Sequence, residues 1–525
     1  MDNTAAVWNA PPPVAELLAA AATHRHLAVC LPHDALPPFA PSAQPSEAER
    51  HFLQLWPQQT SCIQFAAVNI LYGLLPHRAE LWLIPRAAAS HLGEYFPQGI
   101  TWRTGSLPQQ TAPAVQPWFA APPEHTPPQK TAVIGAGIAG AAVARALAER
   151  GAEVLVLEAA GAAQAASGNR QGLLYAKISA HDTEQTELLL GGYGHSRRLL
   201  QALLPDSQDW QACGVLHLNH NQAERRRNAQ LAAQSRHRHL YRGVSSDRAA
   251  DLAGITPLTD GLYWPQGAWL HPPALVRALL DHPLISLHEH CPLLSAQHQN
   301  GLWHLHTPQN QYQATHLVYC AGADSPRMPG LEDFPWQMIR GQTGSAAATP
   351  HSLHLKTALS GAGYISPAWQ GRHCYGATFH PHDSLSGWRE EDEAHNRRLL
   401  AALHPQLAGL PPSSGQGHAA IRCDNPDHLP SVGRVGDTRA MMRQYAKLAH
   451  DKNYPLDTPC PYLPNVWVSS GHGSRGLATA PWCAEAVAAE ILGLPNPLSP
   501  RLRLALHPNR HTIRRLIRRQ TDHTP

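Results

Sequence analysis

The chain has 525 residues, of which 43% are hydrophobic and 15% charged, a composition that excludes a disordered chain and predicts two or three globular domains. Its 41 Lys and Arg against 38 Asp and Glu leave a net charge of +3, which by itself indicates no nucleic-acid or membrane partner. No apolar stretch reaches the roughly 18 residues of a membrane span, and the N-terminal sequence lacks a signal-peptide pattern.

The nine cysteines are scattered along the chain without a C-x-x-C spacing. We therefore expect neither a metal site nor a disulfide framework. Reduced thiols of this kind favour a cytoplasmic protein.

The first 116 residues are predicted to form an α/β region of their own. Helix-like segments at 14–23, 47–56 and 62–75 alternate with Pro-rich breaks. The stretch 117–130, which is dense in proline, is typical of a linker.

A Gly-rich run at 135–140 is the strongest functional signal. It lies between an apolar segment at 131–134 and a helical segment at 141–150, and a second apolar run at 154–157 ends in Glu158. In such a βαβ unit the glycines permit a tight turn and close approach of a pyrophosphate, while the terminal acid accepts from ribose hydroxyls. A chance Gly/Ala-rich turn is the alternative. The predicted dinucleotide-binding residues are Gly135, Gly137, Ile138, Ala139, Gly140 and Glu158.

Three further segments bear on the identity of the dinucleotide. The turn 166–172 is rich in small residues and side-chain donors, the apolar strand 315–320 ends in a small-residue turn, and the strand 466–469 leads through a Gly-rich turn into a helix. The N–H groups and the positive end of that helix suit an electron-rich ring, although the first segment is also compatible with an ordinary turn. The candidate residues are Ser167, Gly168, Asn169, Gln171, Gly322, Gly471, His472, Gly473, Ser474, Arg475, Gly476 and Leu477.

Between residue 131 and about residue 495, apolar strands alternate with helices. This pattern predicts an α/β fold in which a parallel, Rossmann-like nucleotide-binding sheet is interrupted by a more antiparallel α+β domain. We expect the nucleotide-binding domain to comprise 131–215, 276–335 and 415–495, the second domain 216–275 and 336–414, and a basic C-terminal tail 496–525.

Together these segments resemble the glycine-oxidase and D-amino-acid-oxidase family of FAD enzymes. Within it, the segments 166–172, 422–433, 469–481 and 505–519 are similar to the oxidoreductase part of bacterial enzymes that modify the wobble uridine of tRNA. The resemblance implies FAD as cofactor, tRNA as partner, and oxidation at a CH–NH group. The carboxymethyl group of 5-carboxymethylaminomethyl-(2-thio)uridine is removed to leave the 5-aminomethyl form. A free glycine or D-amino-acid oxidase, and an RNA-binding protein with structural FAD, are the alternatives.

Bifunctional members of this group carry a methyltransferase domain before the FAD domain. Residues 1–116 are too short for that domain and contain no Gly-rich S-adenosylmethionine loop after a strand, the nearest segment being Tyr72-Gly73-Leu74-Leu75. We therefore expect no methyltransferase activity in this chain, and a separate methyltransferase that acts on its product.

The resemblance places Arg422 at the position of the carboxylate-binding arginine and Tyr364 at that of the carboxylate-binding tyrosine. The substrate arm is an N-substituted glycine, whose carboxylate suits a guanidinium fork and a phenol. The alternative for Arg422 is an ion pair with Asp424 or Asp427, and the alternative for Tyr364 is a place in the core.

Other side chains are candidates for roles near the flavin. Arg340 and Arg475 are reserve candidates for the carboxylate, each with a structural role as the favoured interpretation. His472 is the candidate base, although hydride transfer from a neutral amine requires none.

The C-terminal segment carries arginines at i, i+4 spacing, with Asp522 the only nearby acid in the sequence. Such a strip can follow phosphates without reading bases, and a solvated helical face is the alternative. The candidate RNA-binding residues are Arg514, Arg515, Arg518 and Arg519.

Overall fold

The computed structural model describes residues 2–111, 114–122, 126–256, 258–411 and 415–518. Within these ranges the strands form five sheets. The α-helices are Val14–Ala21, Glu47–Thr60, Leu92–Tyr95, Ile138–Ala148, Glu184–Leu203, Gln222–Ala233, Ser246–Ala253, Pro272–Leu280, Glu390–Leu403, Thr438–Gln444, Gly476–Leu492, Pro500–Leu506 and Arg510–Ile517. Short 3-10 turns are Pro76–Arg78, Arg86–His91, Gly322–Arg327, Ser352–His354, Pro405–Gly409, Ala446–Ala449 and Gly473–Arg475.

A six-stranded sheet, here called the parallel sheet, carries the predicted βαβ unit. Its strands are buried and rich in Val, Leu and Ile, as expected for a sheet covered on both faces. Neighbouring strands run parallel except for the last pair, which is antiparallel. In spatial order the strands are Ile285–His288, Val154–Leu157, Thr131–Ile134, His316–Tyr319, Tyr462–Ser470 and Ser431–Gly436.

Two helices of the Rossmann-like layer pack closely because small residues line their contact. A Cβ atom on Gly192 would overlap the backbone carbonyl of Ala478, and one on Gly191 would lie 2.9 Å from the indole nitrogen of Trp482. The helix Glu184–Leu203 therefore lies directly against the helix Gly476–Leu492, which begins at the cavity described below.

A second sheet of nine strands, here called the mixed sheet, is antiparallel apart from one parallel pair. The strand His418–Asp424 pairs along its full length with the long strand Gln337–Ala347 and lies outside the main strand order of the sheet. In spatial order the remaining strands are Arg242–Val244, Gly261–Trp264, Val215–Leu218, Ala358–Ser360, Tyr364–Ile365, Arg372–Gly376 and, beyond Gln337–Ala347, His380–Pro381.

The N-terminal region is an α/β unit with its own sheet, as predicted. Four of its strands are parallel, and the edge strand Asn69–Leu71 is antiparallel. The predicted helices near residues 14 and 47 are confirmed, and Ser46 and Glu49 form a capping box at the second. The sheet order is Asn69–Leu71, Glu80–Ile84, His24–Cys30, Asp2–Trp8 and Ile100–Thr104.

The helix predicted at 62–75 is wrong. This stretch contains an edge strand and turns, because tertiary contacts outweigh its apolar pattern. The side chain of Gln64 bonds to the backbone of Ala67 and Val68, and the ring of Phe65 stacks on His237, with centroids 5.9 Å apart.

Two three-stranded sheets complete the fold. One flanks the Rossmann-like layer and the other covers the parallel sheet. Their strands are Gly172–Leu174, Ala268–Leu270 and Trp210–Gln211, and then Ser295–Gln299, Leu302–His306 and Gln311–Ala314. The mixed architecture of parallel and antiparallel sheets confirms the predicted fold class.

The C-terminal segment is folded against the core as far as the structure describes it. Asn509 accepts from the backbone N–H of Gly436 and donates to the carbonyl of Trp118, whose ring packs on Tyr445. Trp118 lies in the predicted Pro-rich linker, so this segment is anchored to the C-terminal helices. No described helix is long and apolar enough to cross a membrane.

A buried charge cluster joins the N-terminal sheet to the Rossmann-like layer. Arg150 Nη2 lies 2.6 Å from Glu485 Oε2 and 3.3 Å from Glu80 Oε1, and Tyr72 donates to Glu485 at 2.8 Å. Burial alone raises the pKa of Glu80, but Arg150 and His26 outweigh it and lower the pKa to about 2. One guanidinium therefore balances two carboxylates from different parts of the chain.

Replacing Arg150 by Met should destabilise the protein by about 3–5 kcal/mol, because Glu80 and Glu485 would stay buried without their counter-charge. The control is Arg225→Met, which breaks the exposed ion pair with Asp260 and should cost no more than about 1 kcal/mol. Urea unfolding of both variants provides the comparison. Equal, small losses in the two variants would show that the cluster does not hold the N-terminal region in place.

Candidate active site

A cavity of about 910 Å³ lies where the carboxyl ends of the parallel strands face the mixed sheet. This edge of an open α/β sheet is where ligands bind in such folds. The volume lies at the upper end of the range for small-molecule and cofactor sites. Most of the residues predicted from the sequence to bind the dinucleotide contribute to its wall.

The Gly-rich turn forms one end of the cavity. Gly135 has φ +105°, and a Cβ there would lie 2.5 Å from the carbonyl oxygen of Cys320 on the adjacent strand. A Cβ on Gly140 would overlap the carbonyl of Gly135. Close backbone contacts therefore require glycine at two of the three positions. The resulting tight turn places the N-terminus of the helix Ile138–Ala148 at the cavity.

The third glycine faces open space. A Cβ on Gly137 would meet only Ser167 Oγ, at 3.3 Å. That hydroxyl accepts from the backbone N–H of Ile138 at 3.0 Å, so an oxygen already occupies the anion position at the helix N-terminus. At the other side of the turn, Glu158 accepts from the N–H groups of Ala136 and Ala160.

The second Gly-rich turn forms an adjoining part of the wall, where a Cβ on Gly476 would lie 3.4 Å from Ile138. Gly471 and Gly473 have φ +79° and +55°, and a Cβ on Gly473 would lie 2.9 Å from the carboxylate of Asp424. The ring of His472 is held at both nitrogens, by Ser469 Oγ at 3.2 Å and Thr479 Oγ1 at 2.9 Å. Burial lowers the pKa of His472 to about 4, so the imidazole is neutral near pH 7.

The predicted cofactor residues divide into two groups. The residues that line the cavity are Gly135, Gly137, Ile138, Ala139, Glu158, Ser167, Asn169, Gly322, Gly471, His472, Gly473, Ser474, Gly476 and Leu477.

The remaining four lie behind the wall. Gly140 and Gly168 are close-contact glycines, and a Cβ on Gly168 would lie 2.6 Å from the ring of His418. Gln171 is fully buried and donates to the carbonyl of Pro367. Arg475 accepts, through its carbonyl, from the hydroxyl of Thr479. These contacts shape the turns that face the cavity.

Arg422 and Tyr364 meet in the cavity wall on the side of the mixed sheet. The guanidinium of Arg422 lies over Gly341, where a Cβ would approach Nη1 to 2.5 Å. Among the described residues no carboxylate pairs with it, and its hydrogen bond is to the carbonyl of Thr378 at 3.5 Å. Burial lowers the pKa of Arg422, and the neighbouring Tyr364 opposes this shift.

The hydroxyl of Tyr364 is protonated and hydrogen-bonded to a backbone carbonyl. Burial holds its pKa well above the usual range, and the hydroxyl donates to the carbonyl of Gln171 at 3.4 Å. Tyr364 thus supplies a neutral donor beside the charged fork of Arg422.

The two acids considered as ion-pair partners of Arg422 have partners elsewhere. Asp424 bonds to His428, and Asp427 pairs with Arg510 and Arg514. Neither carboxylate pairs with Arg422. The reserve candidate Arg340 is fully buried in an ion pair with Asp392 and donates to Gln342, so its charge is already balanced.

The C-terminal arginines face acids that lie far away in the sequence. Arg514 pairs with Asp427, and Arg515 lies 3.8 Å from Asp333. Arg518 follows the last helix and is exposed. Arg519 and Asp522 lie outside the described residues. The strip is therefore partly neutralised from within the protein.

Three residues in or behind the cavity wall were not predicted from the sequence. Gly341 makes room for Arg422, Phe379 stands exposed at the rim, and Tyr175 leads into a buried polar chain. Only Gly341, in the segment Arg-Gly-Gln, carried a local signal, because glycine inside a strand marks close approach of another group. The described residues contain no cluster of His, Cys, Asp or Glu side chains suited to a metal ion.

Residues 130–490 match the family described as "DAO: FAD dependent oxidoreductase". This is more than half of the chain, and the chain belongs to that family. Solved glycine oxidases share the fold. The enzyme from Bacillus cereus superposes with a TM-score of 0.57 at 18% identity and covers 70% of this chain and 95% of its own. The enzyme from Geobacillus kaustophilus gives 0.58 at 19%, covering 74% and 100%.

Two curated relatives are more similar in sequence, and both are named tRNA 5-methylaminomethyl-2-thiouridine biosynthesis bifunctional protein MnmC. The protein from Pseudomonas entomophila is 42% identical over 416 residues, or 78% of this chain. The protein from Chromobacterium violaceum is 41% identical over 414 residues, or 77% of this chain. The chain spans 63% of the length of each relative.

The cavity wall fits FAD, the cofactor of this family. Gly137 leaves space where a pyrophosphate approaches a backbone, at the N-terminus of the helix Ile138–Ala148, whose first N–H donates to Ser167. Glu158 lies at the end of the second strand, where an acid meets the ribose. The turn at 471–476, at the N-terminus of a long helix, lines the same cavity and suits an electron-rich ring.

Gly137→Val should give a folded protein without bound flavin, because the side chain would enter the pyrophosphate space while meeting only Ser167 in the protein. The flavin absorbance of the purified variant measures the effect. Gly93→Val is the control, since a Cβ there meets nothing within 4 Å and lies outside the cavity. A yellow Gly137→Val protein with full flavin content would contradict this assignment.

Proposed function

We propose that this protein removes the carboxymethyl group from 5-carboxymethylaminomethyl-(2-thio)uridine at the wobble position of tRNA in an FAD-dependent reaction, leaving 5-aminomethyl-(2-thio)uridine. The unpaired guanidinium of Arg422 in the cavity wall carries the proposal. Its setting suits a substrate carboxylate, and the sequence similarity to MnmC proteins supplies the substrate class.

The reacting arm is uridine–CH2–NH–CH2–COO⁻. FAD supplies the two-electron acceptor that takes a hydride from the methylene carbon next to the carboxylate. The resulting iminium adds water and breaks into glyoxylate and the primary amine on the uridine. The residues of this chain bind the arm, orient its methylene and limit the access of water.

Arg422 and Tyr364 hold the carboxylate in this account. The guanidinium donates two parallel N–H bonds, and the protonated phenol of Tyr364 adds a third when it exchanges the carbonyl of Gln171 for the substrate carboxylate. Gly341 keeps the guanidinium in place, because any larger residue at this position would displace it. Fixing the carboxylate fixes the methylene carbon one bond away.

His472 acts as a positioning residue in this account. It is neutral, and both of its ring nitrogens are engaged by Ser469 and Thr479. A ring held in this way shapes the turn of 471–476 and has no free nitrogen to take a proton. This agrees with hydride transfer from a neutral amine, which requires no base at the carbon.

An exposed aromatic ring at the rim favours a substrate larger than an amino acid. Phe379 is 53% exposed and lines the mouth of the cavity. It directly follows Thr378, whose carbonyl accepts from Arg422. A nucleobase whose arm reaches Arg422 would therefore have this ring within stacking distance, and an extruded base is bound in this manner by enzymes that act on nucleobases.

The further elements of the proposal concern partners. Arg514, Arg515, Arg518 and Arg519 are proposed phosphate contacts, with Arg514 and Arg515 exchanging their protein carboxylates for RNA phosphates. A separate methyltransferase is proposed to act on the aminomethyl product. The cytoplasm, where tRNA is modified, is the proposed location.

The direct test is nucleoside analysis of tRNA that carries the carboxymethylaminomethyl mark, after incubation with purified protein. Wild-type protein should yield the aminomethyl nucleoside. Arg422→Lys should slow turnover about ten- to a hundredfold, since a charge-assisted hydrogen bond is worth about 1.5–3 kcal/mol, while the flavin content stays unchanged.

Arg434→Lys is the matched control, because Arg434 is also half-buried but contacts Tyr462 and Trp467 away from the cavity. It should retain wild-type turnover. Oxidation of free glycine or D-amino acids at rates far above those for tRNA would favour the small-amine oxidase instead.

Phe379→Ala should raise the KM for tRNA about 5- to 150-fold, because stacking on one base is worth about 1–3 kcal/mol. Oxidation of N-ethylglycine should change much less, since that amine has no ring to stack. Leu353→Ala, which removes another exposed apolar side chain, should alter neither value. Equal effects on both substrates would remove Phe379 from base binding.

A further inference from the structure

A chain of hydrogen bonds leads from the cavity into the mixed sheet. The hydroxyl of Tyr175 lies 2.7 Å from Ser360 Oγ and 3.3 Å from His217 Nδ1. On its other side, His217 Nε2 lies 2.6 Å from Glu224 Oε2. The side chain of His217 is buried, whereas that of Glu224 is 14% exposed. The chain therefore links the cavity wall to a carboxylate at the surface.

The inner end of this chain lies near the carboxylate site. Tyr175 and Ser360 both line the cavity. Ser360 is paired in register with Tyr364 on the neighbouring antiparallel strand, and Tyr364 is beside Arg422. An N-substituted glycine whose carboxylate binds Arg422 has its nitrogen two bonds from that carboxylate, in the same cavity that Tyr175 lines, and the relay requires this amine to bind beside Tyr175.

The carboxylate of Glu224 determines which ring nitrogen of His217 can accept a proton. Burial raises the pKa of Glu224, but His217, Lys177 and Arg227 outweigh it and lower the pKa to about 2. An ionised carboxylate can only accept, so Nε2 carries the proton and Nδ1 presents its lone pair to Tyr175 and Ser360. This is the arrangement by which a carboxylate orients a catalytic imidazole.

Few charged groups face the hydrogen-bonded side chains of Tyr175 and His217. His217 faces Glu224, Lys177 and Arg227, with the ring of His220 at 6.3 Å. Tyr175 faces the same Glu224 and Arg227, together with Arg475. Lys177 Nζ lies 3.3 Å from Glu224 Oε1, and Arg227 forms an ion pair with the same carboxylate.

We propose that Tyr175, His217 and Glu224 form a proton relay that accepts the proton of the substrate's secondary ammonium before oxidation. The N–H bond of the ammonium breaks as its proton moves to the Tyr175 oxygen, and the proton of Tyr175 moves to His217 Nδ1. The positive charge passes from the substrate to the imidazole, next to the negative Glu224. The imidazolium keeps its Nε2 proton beside Glu224 and returns the added proton through Tyr175 to water once the product has left the cavity. No electrons move in this step.

The relay answers a requirement of the proposed function, on which it rests. An aliphatic amine is mostly protonated near neutral pH, and an ammonium nitrogen has no lone pair to assist hydride loss from the adjacent carbon. Without a relay only the small neutral fraction reacts. His472 does not fill this role, because its ring nitrogens contact only the hydroxyls of Ser469 and Thr479 and it lacks the carboxylate that would stabilise an imidazolium.

The test is the rate of flavin reduction by saturating tRNA carrying the carboxymethylaminomethyl mark, in anaerobic rapid mixing across the pH range. Tyr175→Phe should lower this rate about a hundredfold near pH 7, within the range for general acid–base catalysis. The rate should then rise about tenfold per pH unit and approach that of wild type once the amine is neutral. His217→Gln should give the same profile, and the double variant should be no slower than either.

Tyr319→Phe is the matched control, because it removes a buried hydroxyl without a hydrogen-bond partner among the described residues and lies outside the cavity wall. Its pH profile should coincide with that of wild type. A Tyr175→Phe rate reduced by one constant factor at every pH would overturn the relay and leave the proposed function intact. A wild-type flavin that this tRNA fails to reduce at any pH would overturn both.

Discussion

The half-buried guanidinium of Arg422, on the wall of the cavity, is the constraint on which the active site depends. Removing a charge from water is costly unless the charge is paired, and within the described protein Arg422 has a single carbonyl contact at 3.5 Å. The surrounding strands nonetheless hold it in place, because Gly341 provides the space for its fork. A ligand carboxylate completes this arrangement, and the cavity then orients whatever group is attached to that carboxylate.

Two other parts of the fold line the same cavity as this guanidinium. The backbone contact between Gly135 and Cys320 sets the helix N-terminus against the nucleotide end of the cavity. The turn of 471–476 begins a long helix that packs through Gly192 onto its neighbour. The Gly-rich turns and Arg422 thus come from different sheets. The strand His418–Asp424 joins them, since it carries Arg422 into the mixed sheet and Asp424 to the second Gly-rich turn.

Most of the residues predicted to bind the cofactor line the cavity, because the signals in this part of the sequence are local. The glycines at 135, 137 and 140 and the acid at 158 fall within one βαβ unit, whose spacing follows from backbone geometry. The contacts that define the substrate end are distant in sequence. Gly341 meets Arg422, and Tyr175 meets Ser360 across 185 residues. A single sequence carries no signal for such pairs.

The same reason explains where the predictions differed from the structure. The segment 62–75 has the apolar content of a helix, but its residues pack against His237 and the N-terminal sheet. The C-terminal arginines appear unpaired in sequence, yet Asp427 lies 87 residues from Arg514 and meets it in the fold. A basic run therefore overstates the charge available to RNA when its acids come from elsewhere in the chain.

The most direct measurement of the central claim is anaerobic mixing of the purified flavoprotein with tRNA bearing 5-carboxymethylaminomethyluridine, followed by assay of glyoxylate. The account predicts bleaching of the flavin band and release of one glyoxylate for each marked uridine consumed, with no reaction of the same tRNA already in the aminomethyl form. A flavin that stays oxidised with marked tRNA but is bleached by free glycine would contradict it.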